Sequence, residues 1–221
     1  KPTFGSTIVA LERQGALLDR ISGVFYNLLE AATSDQMQEI ALRVQPKLTE
    51  LSNDVSLNPE LFARVKELYD RRGALDLDDV QLRLLEKTYR RFVRAGALLD
   101  AGRKARLKEI NGELSLTAVK FGNNILAENN NFALELTADD LEGLPSGVRD
   151  AAREKAQAMG KGDKWVFTLH KPSLIPFLTY SAKRDLREKI YKAYLNRCNN
   201  GDQYDNKQLI NDFIRLRTEK A

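Results

Sequence analysis

The sequence predicts a mainly α protein, an array of long antiparallel helices carrying one small two-stranded β-ribbon over about 132–136 and 164–169. Three observations lead there. From Ser6 to about Asn129 the apolar residues recur at three- and four-residue spacing, the period of a helix with one buried face. The longest such run, about Asp100 to Glu128, would span roughly 40 Å, and helices of that length joined by short turns pack as antiparallel neighbours. Trp165–Leu169 instead alternates in a way that suits a short strand, Phe132–Leu136 also reads as a strand, and the two flank one short helical pattern.

Taken in order, Ser6 is expected to cap a first helix with Ile8, Leu11, Leu18, Ile21, Phe25 and Leu28 on one stripe. Thr33 to Gln36 has the form of a capping box for a second helix, and Pro46 inside that pattern predicts a kink or break near Val44. Asn58-Pro59 is a start signal: an N-cap asparagine, then proline at the first helical position. The helix it opens carries Leu61, Val65 and Leu68 and should stop at Gly73. Acidic residues from Asp76 to Asp79 suit the positive end of the next helix, whose stripe is Leu82, Leu85, Tyr89 and Phe92. Leu107, Ile110, Leu114, Ala118, Phe121 and Ile125 then mark the longest helix. Beyond Asn129–Asn131 come a strand, a short helix opened by Thr137–Asp140, a helix over Val148 to Met159, and the second strand. Pro172 suits the first turn of a short helix, Asp185–Arg197 is helical, and helix resumes at Asn206. The predicted organisation is one region, 1–221: a helical array over 1–130, a small α/β insertion over 131–170, and returning helices over 171–221.

Composition narrows the function classes. At 43% hydrophobic, 221 residues suffice for a core, and no apolar run is long enough to span a membrane. Thirty per cent charged residues of both signs describe a soluble protein, and one cysteine, Cys198, excludes an internal disulfide framework, which favours the cytoplasm over the periplasm. The net charge of +4 is too mild, and too evenly mixed, for a nucleic-acid binder. Lys1 is no initiator Met, and the last helical pattern reaches Ala221 without a stop signal. The chain is therefore read as a piece of a longer one.

A search for catalytic chemistry returns no site residues: no catalytic, cofactor-binding or metal-ligating position is assigned. The only histidine, His170, rules out a paired-histidine zinc helix and reads as a surface residue at a strand end. Cys198 reads as a packed thiol. The pairs Asp78-Asp79 and Asp139-Asp140 fall at helix starts, where the helix dipole explains them. Arg83, Lys87, Arg90, Arg91 and Arg94, then Arg103, Lys104, Arg106 and Lys108, form two basic clusters. They are interleaved with Glu86, Glu109 and Glu113 and lack aromatic partners, which describes a solvated face. Core or surface roles explain Tyr180 and Lys171 of the aromatic segment better than a place facing a substrate.

The segment Trp165-Val-Phe-Thr-Leu-His-Lys-Pro-Ser-Leu-Ile-Pro-Phe-Leu-Thr-Tyr-Ser181, followed by Arg184-Asp-Leu-Arg-Glu-Lys-Ile-Tyr-Lys-Ala-Tyr194, resembles the zinc oligopeptidases of the thimet-oligopeptidase type, most of all their bacterial peptidyl-dipeptidase branch. Pro2–Glu12, Phe121–Leu126, Leu141–Pro145, Asp205-Asn206 and Leu216–Ala221 match in the same order. The resemblance implies a largely helical enzyme with a deep channel, cleaving oligopeptides. Its zinc is held by a His-Glu-x-x-His helix and a downstream glutamate in the C-terminal half. Nothing of that motif stands in this sequence. The resemblance therefore implies an N-terminal, non-catalytic part that is inactive and zinc-free by itself and forms one wall of the channel. Its partners would be the missing catalytic half and, through it, oligopeptide substrates, with neither nucleic acid nor membrane. The alternative is an autonomous helical module that binds peptides or proteins, and a third, weaker reading is a nucleic-acid-binding helical protein that uses the basic clusters.

Overall fold

The computed structural model describes residues 1–221 and confirms a mainly α chain with one two-stranded antiparallel sheet. It divides into two compact units, Lys1–Val119 with Arg215–Ala221, and Lys120–Ile214.

The first unit opens with a π-helical turn, Gly5–Val9, leading into α1 (Ala10–Arg13). Ser6 is not the cap. Thr3 takes that role: Ser6 N–H donates to Thr3 Oγ1 at 3.1 Å and Thr3 N–H donates to Ser6 Oγ at 3.1 Å, so each hydroxyl oxygen accepts from the other residue's amide. The expected single first helix is also split. Gln14 is extended and Gly15 takes φ +83°, the left-handed region open to glycine, so α2 (Ala16–Ala31) starts in a new direction. Ile8 reaches the core, whereas Leu18, Ile21 and Leu28 stay exposed.

Ser34 rather than Thr33 caps α3 (Asp35–Ser56), and α3 runs through Pro46 without the expected break. The missing amide and ring clash cost about 3 kcal/mol in an isolated helix. Contacts on both sides of the proline hold the helix here: Tyr26 donates to Gln45 at 2.7 Å, and Thr49 to Ser115 on α6 (Ala101–Asn131) at 3.0 Å. One and two turns on, Asn111 donates to Asn53 and Lys108 to Asp54, each at 2.7 Å. Asn58 caps α4 (Pro59–Asp70) through Leu61 N–H at 2.9 Å, as its sequence predicts. That helix stops three residues short of Gly73, which instead lies in a 3₁₀ turn, Arg72–Ala74. Asp78 and Gln81 form a complete capping box for α5 (Asp79–Arg94). Ile8, Phe62, Val65, Leu68, Leu85, Phe92 and Ala97 make this unit's core, and the Tyr69 and Tyr89 rings stack on it at 3.9 Å.

In the second unit β1 (Leu134–Leu136) pairs antiparallel with β2 (Trp165–Phe167), Leu134 opposite Phe167 and Leu136 opposite Trp165. Both strands are shorter than expected. The α6 helix persists to Asn131, leaving two residues before β1, and beyond β2 the Thr168 amide leaves the ladder to donate to Ser173 Oγ at 3.0 Å. Between the strands lie a 3₁₀ turn, Ala138–Asp140, and α7 (Ser146–Ala158); after them come α8 (Lys171–Tyr180), α9 (Arg184–Leu195) and α10 (Lys207–Lys220). Leu134, Leu136, Phe167, Leu169, Leu174, Phe177 and Ile190 belong to a second core, with the Phe167 and Phe177 rings 4.5 Å apart.

Candidate functional site

The aromatic segment is a packing hub. Val166, Phe167 and Leu169 are buried with Leu174 and Phe177, and Leu178 packs against them, but Ile175 points outward at 54% exposure and does not help pin the ribbon. Arg153 on α7 lies over the Trp165 ring at 4.9 Å, a cation–π contact on the ribbon's half-open side. On the solvent side of β1, Glu135 accepts from Lys161, and from Lys164 at 2.7 Å; these charge-assisted bonds hold its carboxyl down at about 2. Lys171 and Tyr180 are both exposed.

His170 is exposed at the N-terminal end of α8, its Nδ1 at 3.2 Å from Thr168 Oγ1. Beside it, α7, β2 and the start of α8 enclose an open cavity of about 400 Å³, lined by Val148, Ala151, Lys155, Val166, His170 and Pro172 among others. Sequence reading singled out His170 alone. The two-residue step from Thr168 to His170 at a strand exit was the available signal that their side chains meet. Lys155 arrives through the ribbon's wrapping around α7, which no local pattern reveals.

Cys198 follows α9 in the left-handed region, φ +56°, and is buried. Burial first, and the Glu128 carboxylate second, push its thiol up to about 11, so it is neither a nucleophile nor a thiolate ligand. Glu128 accepts from the Cys198 amide and from Asn200 Nδ2, which fixes this loop; the buried Asn206 then receives Asn124 Nδ2 at 2.8 Å and donates to the Phe121 carbonyl at 3.2 Å.

The acidic pairs cap helices, Asp78 through Gln81 N–H and Asp140 through Thr137 N–H at 2.9 Å. The basic clusters are laced with carboxylates: Arg90 with Glu86, Arg91 with Glu12, Arg103 with Asp100, and Arg106 with Glu109, Glu113 and Glu219. No three His, Cys, Asp or Glu side chains come together in an arrangement able to hold a metal ion. A zinc site needs at least three such donors, so the residues of this chain do not fit that ion.

The fold and its polar chemistry thus define a helical protein segment whose titratable groups are used as caps, ion pairs and loop ties. The comparisons place it more closely. The chain is 35% identical over its whole length to dipeptidyl carboxypeptidase of Escherichia coli and 36% identical to that of Salmonella typhimurium, covering 32% of each. It is 26% identical to organellar oligopeptidase A of Arabidopsis thaliana, covering 29% of it. No protein-family model matches. The chain is therefore similar along its whole length to these peptidases, in line with the resemblance carried by the aromatic segment, and it spans only about a third of the curated relatives it matches. No helix is long and apolar enough to cross a membrane.

Proposed function

We propose that this chain is the N-terminal, non-catalytic part of a zinc peptidase that hydrolyses short unstructured peptides, and that it forms one wall of the substrate channel. The observation that carries this is the similarity of all 221 residues to about a third of dipeptidyl carboxypeptidase. The donor chemistry supports the same division of labour. The lone histidine is exposed and the lone thiol is held protonated, so zinc and its activated water belong to residues outside this chain. The cytoplasm, where a single cysteine stays reduced, is the compartment that suits it.

The test compares this 221-residue chain with the complete reading frame that contains it, using quenched fluorogenic peptides with added zinc and after chelation. The complete protein is expected to cleave them, to lose activity on chelation and to regain it with zinc, while the short chain stays inert and binds no stoichiometric zinc. Zinc-dependent cleavage by the short chain, or a complete protein without peptidase activity, would overturn the reading.

A further inference from the structure

Helix α2 has two apolar stripes and buries neither. Ser22, Phe25, Tyr26 and Leu29 form the half-buried stripe, with Tyr26 tied to Gln45 on α3. About 120° around the helix, by its 100° turn per residue, Leu17, Ile21, Val24 and Leu28 make a second, exposed by 68%, 58%, 60% and 51%. Their spacing of four, three and four residues is the seam that inserts aliphatic knobs into a facing helix. A helix apolar on so much of its circumference is a buried helix, and nothing in this chain covers it.

Resting on the function proposed above, we infer that the Leu17–Ile21–Val24–Leu28 ridge is the surface on which the remaining polypeptide of the peptidase packs, through an aliphatic, helix-sized groove with an acidic rim facing the exposed Arg20. Two arguments select this occupant. The relatives carry about twice as much further polypeptide as this chain supplies, since it covers 32% of them. A 16-residue helix is about 24 Å long, so one face about 10 Å wide offers a footprint of a few hundred Å². Separate chains need about 800 Å² per partner for a stable dimer. A ridge this small suits a partner already joined by the backbone better than a second copy. With only Asp19, Arg20 and Glu30 charged, α2 also lacks the basic face of a membrane-surface helix.

Single cysteines report on the ridge: Leu17→Cys and Val24→Cys on it, Glu30→Cys on the opposite side as control. Native Cys198 is buried, and labelling of the unsubstituted proteins sets the background. Maleimide labelling rates are compared in the 221-residue chain and in the complete protein. The expected result is fast labelling of both ridge positions in the short chain, at least tenfold slower labelling in the complete protein, and an unchanged control. Equal ridge rates in the two proteins overturn the inference. So does protection in the short chain that grows with its own concentration, which assigns the ridge to a second copy, or protection by neutral phospholipid vesicles. Peptide hydrolysis by the complete protein is measured separately. An active protein with an unprotected ridge refutes this inference alone, and a protected ridge in an inactive protein refutes the proposed function.

Discussion

Single backbone positions decide how the second unit closes. Gly143 has φ +83°, and a Cβ added there would collide with the Tyr180 carbonyl oxygen and sit 3.0 Å from the Ala182 amide. That amide donates to the Glu142 carbonyl at 2.9 Å, so the turn before α7 is fastened to the chain leaving α8. An alanine side chain pays both for a left-handed backbone, about 1–2 kcal/mol, and for displacement of two main-chain segments. Gly143→Ala should therefore destabilise the protein by at least about 2 kcal/mol, read as a lowered urea midpoint at constant slope. Gly15 makes an instructive contrast, because it has φ +83° with open space around it, so the same substitution there meets only the torsional penalty.

At the scale of elements, one carboxylate ties the ribbon to the turn that precedes β2. Glu135 is ionised in the folded state down to about pH 2, well below its ordinary 4.5, because Lys161 and Lys164 hold it. A group whose folded pKa is depressed adds stability above its unfolded value and loses it as pH falls through the folded one. The loss therefore falls between about pH 4.5 and 2. In Glu135→Gln, stability should fall less across that window than in the native chain, as measured by urea unfolding at a series of pH values. An identical acid limb in both proteins would show that the contact contributes nothing. The element scale is also where the sequence was most legible. Asn58-Pro59, the acidic run Asp76 to Asp79, and Thr137 with Asp140 are local signals, and each opens a helix or turn where predicted. What failed depended on distant partners. Pro46 was read as a break because its neighbours on α2 and α6 are invisible locally, and the first helix was read through Gly15 because a continuous apolar stripe hides a turn in the backbone.

The whole molecule carries two cores with no member in common, one around Phe62, Val65, Leu85 and Phe92, the other around Leu136, Phe167, Leu174 and Phe177. That the two strands pair could be read from the sequence, since both carry strand patterns around one intervening helix. The cavity beside His170 could not, because Lys155 and Val166 meet only after the ribbon has folded around α7. The same separation allows a test of how folding is organised. The only tryptophan, Trp165, packs against the second core, so its fluorescence reports on that unit, while far-ultraviolet circular dichroism reports on the helices of both. Truncating a buried phenylalanine costs about 3–5 kcal/mol. Phe92→Ala should bring forward part of the dichroism change and leave the Trp165 midpoint in place, whereas Phe177→Ala should lower the Trp165 midpoint itself. Each compact unit has its own buried side chains, and cooperativity follows shared burial. If Phe92→Ala instead moves both signals together, α6 and α10, which contribute residues to each unit, transmit the loss, and the chain unfolds as one.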